Sequence, residues 1–357
     1  MNRELHMRIV SGEARGIGPS IARAALFAAS GFYFLGYQAK RTAFDAGLLH
    51  QVRVDARVIS IGNIVAGGTG KTPAVIHFAR RFTNDGKKVA VLSRGYGRIT
   101  PIDEPLAVSD FTKTRLSPRE SGDEPYLIAE KLPGIPVVVC GNRVKGAHFT
   151  IERFQPDIIL LDDGFQHRAL ARDEDIVTID CSNPFGFGHL LPRGLLREPL
   201  SALARATCFL VTHADERDCT HAVAILRTVN PTARILKSAH RPVWLVRLND
   251  GTKHVCDMLA GKKVLAFSGI GNPASFEQTL RRIGANIVRA IVFKDHHWYD
   301  AADMDRINEE AKRSGAEFMV TTAKDAVRLP AETRMSENLL GLEIEIELLE
   351  GNRECEQ

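Results

Sequence analysis

Residues 62–73 read Gly62-Asn63-Ile64-Val65-Ala66-Gly67-Gly68-Thr69-Gly70-Lys71-Thr72-Pro73, a glycine-rich turn set between an apolar run and the start of a helix. Such a turn gathers successive backbone N–H groups around one concavity. A helix N-terminus faces the same concavity, and both favour phosphate oxygens. Gly67, Gly68, Thr69, Gly70, Lys71 and Thr72 are therefore expected to cradle a nucleoside triphosphate. Lys71 can reach the outer phosphates, and the Thr72 hydroxyl can take a place on Mg²⁺. Pro73 suits a first helical turn, where its missing N–H has no intrahelical partner to lose. Residues 57–61 (Arg-Val-Ile-Ser-Ile) have the β-branched, apolar character of the buried strand that must feed such a loop.

Outward from the loop, the chain alternates apolar runs with helical stretches. Strands are expected at 57–62, 88–92, 136–140, 157–161, 175–179, 207–212 and 234–239, with helices at 72–83, 121–132, 143–154 and 215–229. That alternation predicts an α/β protein with a mostly parallel sheet of the P-loop NTPase type, covered by helices on both faces. Residues 241–250 read as an extended connector. A second alternation follows (strand 263–267, helix 273–284, strand 287–293, helix 301–314, strand 317–321). The expected organisation is an N-terminal extension and helix over 1–50, a nucleotide-binding core over 51–240, a linker over 241–260 and a smaller C-terminal α/β lobe over 261–357.

With 44% hydrophobic residues among 357, the chain can bury one large core or two moderate ones. A net charge of +4 suits an anionic substrate or membrane face and is too small to argue for nucleic acid. Cys140, Cys181, Cys208, Cys219, Cys256 and Cys355 are scattered without a C-x-x-C pair, which reads as reduced thiols rather than a disulfide framework or a zinc site. Residues 24–37 are apolar, small and aromatic, flanked by Arg23 and by Lys40-Arg41. As a helix they rise only about 21 Å, short of the roughly 30 Å hydrocarbon core. A signal sequence, a core helix and a helix lying in the membrane interface all fit, and the aromatic, cation-flanked composition favours the last.

Most of the chemistry-bearing motifs fall at strand ends, where ligands gather in open α/β sheets. The run 158–163 is a buried strand ending in Asp162 and Asp163, the expected acidic partner of Lys71 and Thr72 for holding Mg²⁺. His167 and Arg168 follow and can face the phosphates or the acceptor, or cap the strand. Ser93-Arg94-Gly95-Tyr96-Gly97-Arg98 offers two arginines suited to phosphate. Ser121-Gly122-Asp123-Glu124-Pro125 opens a helix with an acidic first turn. That is good capping chemistry, and it is also a place from which a carboxylate can accept the proton of an attacking hydroxyl. Asp295-His296-His297-Trp298-Tyr299 ends a strand of the second lobe, and a histidine there can orient a catalytic carboxylate. Adjacent histidines also suggest a metal, but no matching ligand cluster is near. Thr321-Thr322-Ala323-Lys324-Asp325 has the wrong spacing for a guanine reader and is expected to hold its own lobe's loop.

Taken in order, these segments resemble the tetraacyldisaccharide 4′-kinase family. The shared signatures are Gly-Asn-(x)₃-Gly-Gly-Thr-Gly-Lys-Thr-Pro, Ser-Arg-Gly-Tyr-Gly-Arg, Gly-Asp-Glu-Pro, Asp-Asp-Gly-Phe-Gln-His-Arg, Leu-Leu-Pro-Arg-Gly-Leu-Leu-Arg-Glu-Pro (190–199), Asp-His-His-x-Tyr and Thr-x-Lys-Asp. They run from Gly62 to Asp325, and the family pattern begins near residue 20, so residues 1–15 look like an extension or an upstream start. The resemblance implies transfer of the γ-phosphoryl of ATP, with Mg²⁺, to the 4′-hydroxyl of an acylated glucosamine disaccharide 1-phosphate. It also implies peripheral attachment to the cytoplasmic face of the inner membrane of Gram-negative bacteria through an amphipathic N-terminal helix, with no protein partner required. By the same resemblance Asp123 is the base and His296, rather than His297, its partner. Arg94, Tyr96, Glu124, His167 and Arg168 would face the acceptor.

The rival reading is a ParA-like ATPase switch acting on a protein partner at the membrane. Those proteins carry an extra lysine in the loop that acts across a dimer. Ala66 stands in its place here, and Val65 replaces the first glycine of the plain phosphate-loop pattern. A switch that only hydrolyses nucleotide has no need of a carboxylate–histidine pair.

Overall fold

The computed structural model describes residues 3–330, 332–333 and 336–349; Cys355 lies outside them. Two helices lead, α1 (Arg3–Val10) and α2 (Ile17–Asp45). The first lobe then runs β1 (Arg57–Gly62), α3 (Lys71–Asn84), β2 (Val89–Ser93), β3 (Leu106–Ser109), α4 (Pro118–Ser121), α5 (Asp123–Lys131), β4 (Val137–Val139), α6 (Arg143–Phe154), β5 (Ile158–Asp162), β6 (Glu174–Asp180), β7 (Cys208–Thr212) and α7 (Thr220–Val229). β8 (Arg234–Arg247) leads into the second lobe, which holds β9 (Lys253–His254), β10 (Lys263–Ser268), α8 (Pro273–Arg282), β11 (Asn286–Val292), α9 (Ala301–Ser314), β12 (Phe318–Thr322), α10 (Ala323–Ala326) and β13 (Leu339–Leu348).

The central strands are continuous apolar runs because both faces of a helix-covered parallel sheet are dry. β5 is buried along its whole length and β1 along all but its first residue. The sheet order is β11-β10-β12-β13-β8-β7-β6-β1-β5-β2-β4-β3, with β9 beside β8. β1 pairs in parallel with β5 on one side and β6 on the other. In the first ladder Ile61 lies opposite Asp162, so the acidic strand end and the glycine-rich loop emerge side by side at one sheet edge. Helix starts are set by local chemistry. Asn142 caps α6, Asn272 caps α8 ahead of Pro273, and Asp300 forms a reciprocal capping box with Asp303 at α9.

Three expectations need correction. Residues 241–247 are not a linker: β8 continues through them, and its second half pairs antiparallel with β13 from Arg247↔Leu340 to Ser238↔Leu348. The lobes thus share one sheet, because Leu245, His240 and their neighbours pair with a late strand, β13, that carries Leu340, Leu342 and Ile346. The helix expected over 121–132 is two helices broken at Gly122, whose φ of 93° no helix continues through. Cys181 and Cys219 form a disulfide joining the end of β6 to the start of α7; Cys140 and Cys256 are free thiols. Spacing alone cannot show that pair, since the two residues meet only when β6 and α7 pack.

Leu160 is fully buried at the centre of β5 among Ile59, Val91 and Phe78. Leu160→Ala is expected to cost about 2–5 kcal/mol through lost burial and a residual cavity. Urea unfolding should show a lower midpoint with an unchanged slope.

Candidate active site

The phosphate loop opens toward the strand ends. Gly70 sits in the left-handed region (φ 83°) as the residue before α3, and its carbonyl accepts from Ala74 N at 3.1 Å. Thr69 turns its hydroxyl inward, where it accepts from Asn63 Nδ2 at 2.7 Å and shares a 2.8 Å hydrogen bond with Thr178. Its side chain braces the loop, leaving only main chain for a phosphate. Thr72 is buried on the first turn of α3, and Lys71 Nζ lies 3.7 Å from Asp163.

The two aspartates after β5 have different surroundings. Buried Asp162 accepts from Ser93 Oγ at 2.8 Å through Oδ2, while Oδ1 has no partner. Burial first, and then the charges of Glu124 and Asp163, push its carboxyl up to about 6. A buried carboxylate oxygen left over in this way costs free energy that a hard cation can relieve. Asp162 with the Thr72 hydroxyl is therefore a fitting donor set for Mg²⁺, the phosphates and waters completing it. Asp163, with φ 52°, turns back so that Arg197 Nη1 donates to its two oxygens at 2.8 and 3.0 Å. Burial opposes its ionisation, but Lys71 and Arg197 outweigh it and hold the carboxyl below its ordinary range. Of the two carboxylates expected to hold Mg²⁺, Asp163 is instead paired with Lys71 and Arg197. Arg197 belongs to the 190–199 motif, whose role its sequence alone does not reveal.

Across the sheet edge the second lobe meets the first. His296 Nδ1 donates to Asp123 Oδ2 at 2.8 Å, over 173 residues of sequence separation. The hydrogen bond to Asp123 raises the His296 pKa; burial opposes this only in part. Arg328 Nε stands 3.5 Å from the same carboxylate oxygen. Gly122, just before Asp123, lets the 95–96 loop of the same lobe pack close, since a Cβ there would lie 2.8 Å from the Tyr96 carbonyl oxygen. The Tyr96 ring rests 5.8 Å from that of His296, and Arg119 stacks over Trp298 at 3.9 Å. His297 instead pairs with Asp303 at 2.6 Å and stacks on Phe293. Lys324 crosses to Glu124 at 2.5 Å. Burial would raise the Glu124 carboxyl, but Lys324 and Lys71 overcome it and keep Glu124 ionised. Asp325, as expected, holds its own lobe, accepting from Gly269 N, Tyr299 and Arg328. Lys324 is the part of that motif which the sequence reading misplaced.

Other expected ligands diverge from this centre. Arg94 is exposed at the rim, beside Tyr96. Arg98 is spent on main-chain carbonyls of Val139, Pro101, Ile102 and Glu104, so its loop has one arginine to offer and not two. Arg168 pairs with Asp45 at 2.8 Å and covers Phe44, tying the loop after β5 to the end of α2 rather than reaching the phosphate cradle. His167, pushed down to about 4 by burial and then by Arg143, keeps an unpartnered Nε2.

A phosphate loop, a buried acidic strand end and an Asp–His pair that bridges the two lobes define a P-loop nucleotide-binding protein built for transfer to an acceptor. The family model described as tetraacyldisaccharide-1-P 4′-kinase matches residues 22–357, and the chain belongs to that family. The tetraacyldisaccharide 4′-kinase of Anaeromyxobacter dehalogenans (strain 2CP-C) is 43% identical over 86% of this chain and 82% of its own. That of Anaeromyxobacter sp. (strain Fw109-5) is 41% identical over 96% and 92%. The crystal structure of LpxK from Aquifex aeolicus in complex with ATP superposes with a TM-score of 0.73 at 30% identity, covering 93% of this chain and 96% of that one.

The geometry separates the adjacent histidines. His296→Ala is expected to lower kcat by about 10²-fold or more, whereas His297→Ala should leave kcat within a few-fold and lower the melting temperature. Steady-state kinetics and thermal unfolding of both variants check this.

Proposed function

We propose that this chain transfers the γ-phosphoryl of ATP to the 4′-hydroxyl of a tetraacylated glucosamine disaccharide 1-phosphate, working at the cytoplasmic face of the inner membrane. The observation that carries the reading is the 2.8 Å Asp123–His296 hydrogen bond, set beside a phosphate loop whose Lys71 shares a charge network with Glu124. Asp123 accepts the proton of the sugar hydroxyl as it attacks. His296 orients the carboxylate through its Nδ1–H, with Arg328 behind. Lys71 and the main chain of residues 67–72 hold the phosphates in line, which is most of what phosphoryl transfer asks of a protein. Mg²⁺, held through Asp162 and Thr72, would neutralise charge on the β- and γ-oxygens. Arg197 keeps Asp163 ion-paired and so steadies the position of Lys71. Arg94 and Tyr96, exposed on the rim, are placed for the acceptor's polar parts.

α2 supplies the membrane contact in this reading. Its docked side carries Ser30, which bonds Leu190 O at 2.9 Å and receives Arg193 N at 3.1 Å, and Tyr33, which donates to Arg197 O at 2.8 Å. The opposite side is an apolar stripe at helical spacing: Ile17 (82% exposed), Ile21 (65%), Ala24, Ala28, Phe32 (78%) and Leu35 (63%). A helix buried in a core would hide that stripe; of α2 only Ser30 is buried. No helix among the described residues is long and apolar enough to cross a membrane. An outward apolar stripe of this kind suits the headgroup boundary of a bilayer.

Incubation with labelled ATP, Mg²⁺ and the acylated disaccharide 1-phosphate in detergent micelles should place label on the distal sugar. Asp123→Ala should lower that rate by about 10²–10⁴-fold while ATP still binds. Phosphate release that ignores the lipid would favour the ATPase-switch reading instead. Independently, Phe32→Asp with Leu35→Asp should reduce co-sedimentation with anionic vesicles and leave the melting temperature near that of the unaltered protein.

A further inference from the structure

On the side of the phosphate loop away from the aspartates stands a chain of polar groups that the transfer reaction does not use. Asp180 closes β6, His213 follows β7, and His240 lies within β8. His213 Nδ1 is 3.2 Å from Asp180 Oδ1, and His213 Nε2 is 2.9 Å from His240 Nδ1. The two rings meet edge to face with centroids 4.3 Å apart. His240 is only 8% exposed, and its Nε2 has no hydrogen-bond partner. That nitrogen lies beside the loop, since the position a Cβ would take at Gly70 is 2.9 Å from it and 3.4 Å from Thr212 Cγ2. The Thr212 hydroxyl is buried and unpartnered too. His213 holds the left-handed conformation (φ 57°), as Asp163 and His296 do, and such strain in a non-glycine residue persists only where the surroundings impose it.

The order of the hydrogen bonds fixes where protons can go. A carboxylate only accepts, so His213 Nδ1 carries a hydrogen. If His213 is neutral, its Nε2 is bare, His240 Nδ1 must donate, and His240 Nε2 is bare as well. If His213 is protonated, its Nε2 donates, His240 Nδ1 accepts, and neutral His240 then carries its hydrogen on Nε2. One proton at His213 thus changes the group facing Gly70 from acceptor to donor. Burial, and next the His213 charge, push His240 down to about 3 and keep it neutral. Burial opposes a proton on His213, but the Asp180 carboxylate outweighs it and raises that pKa. The other charges facing the relay are Asp215 and Glu216 on the loop after β7 and Arg282 of α8. Arg282 pairs with Glu216 and donates to the His240 carbonyl, and Arg241 pairs with Asp215.

We propose that Asp180, His213 and His240 form a proton-gated relay that positions the phosphate loop. A proton on His213 gives His240 an Nε2–H donor to the main chain at Gly70, and the loop in that state binds nucleotide more tightly. The inference rests on the nucleotide-site reading given above. His240 is a positioning residue and touches no reacting atom.

The test is calorimetric titration of the full-length enzyme with Mg²⁺ and a non-hydrolysable ATP analogue from about pH 6 to about pH 9. The unaltered protein, His240→Phe, His240→Gln and Asp180→Asn are compared, so that titration of the nucleotide itself cancels in the ratios. Affinity of the unaltered enzyme should be greatest at the acid end. It should weaken about three- to tenfold, beyond the nucleotide's own effect, as pH rises through the His213 pKa. His240→Phe should bind weakly and lose that extra slope. His240→Gln, whose amide donates whatever the state of His213, should recover affinity without the slope, and Asp180→Asn should move the midpoint to lower pH. Parallel profiles for the unaltered enzyme and His240→Phe overturn the relay while leaving the nucleotide site intact. Failure of the unaltered enzyme to bind nucleotide at any pH overturns both. Histidine ¹⁵N spectra of the unaltered enzyme decide the matter even if the variants do not fold. An Nε2–H on His240 at low pH that is lost at high pH supports the relay, and a bare Nε2 at every pH overturns it.

Discussion

The hydrogen bond between His296 and Asp123 is where the two lobes become one site. Each partner alone is unremarkable: an aspartate in the acidic first turn of a helix, and a histidine in a tight turn after an edge strand. Joined at 2.8 Å, they tie the acidic first turn of α5 in the first lobe to the turn after β11 in the second. The contact demands a fixed lobe geometry, and the shared sheet provides it. β8 carries the first lobe's ladder at one end and the second lobe's at the other. The Lys131–Glu343, Arg80–Glu345 and Lys324–Glu124 pairs then hold the facing surfaces together.

Charge balance around Lys71 follows from the same constraint. Asp162, Asp163 and Glu124 crowd one end of the sheet, and three ionised carboxylates there repel strongly unless they are paired. Arg197 takes Asp163 and Lys324 takes Glu124, which leaves Asp162 with the spare oxygen. The site is thereby sorted into one carboxylate suited to a cation and two that keep lysines in place. Two of the residues that do the sorting, Arg197 and Lys324, come from segments distant in sequence. α2 is docked through Tyr33 onto the carbonyl of Arg197, so the helix with the outward apolar stripe is one residue's backbone away from the charge network.

The expected fold was largely readable, since its signals are local. The strand at 57–62 and the helix at 143–154 match β1 and α6, because a buried parallel strand and a capped amphipathic helix each write their own pattern. Errors concentrate where structure depends on partners. β8 looked like a strand followed by a connector because Pro242 and alternating polarity weaken the pattern, and only pairing with β13 completes it. β3 is short and lies at a sheet edge. The cysteines gave no sign of the Cys181–Cys219 bond.

By itself, the sequence determined the phosphate loop, the acidic strand that accompanies it and the identity of the residues able to do acid–base work, because each depends on side-chain type at short spacing. Tertiary structure alone decided which of those residues meet. It chose His296 over His297, gave Asp162 and Asp163 unlike partners, sent Arg98 and Arg168 to structural duties, and set an unpartnered His240 against Gly70. The reason is physical: a side chain's role is fixed by what lies within about 3 Å of its polar atoms, and over separations of a hundred residues or more that is set by sheet order and packing.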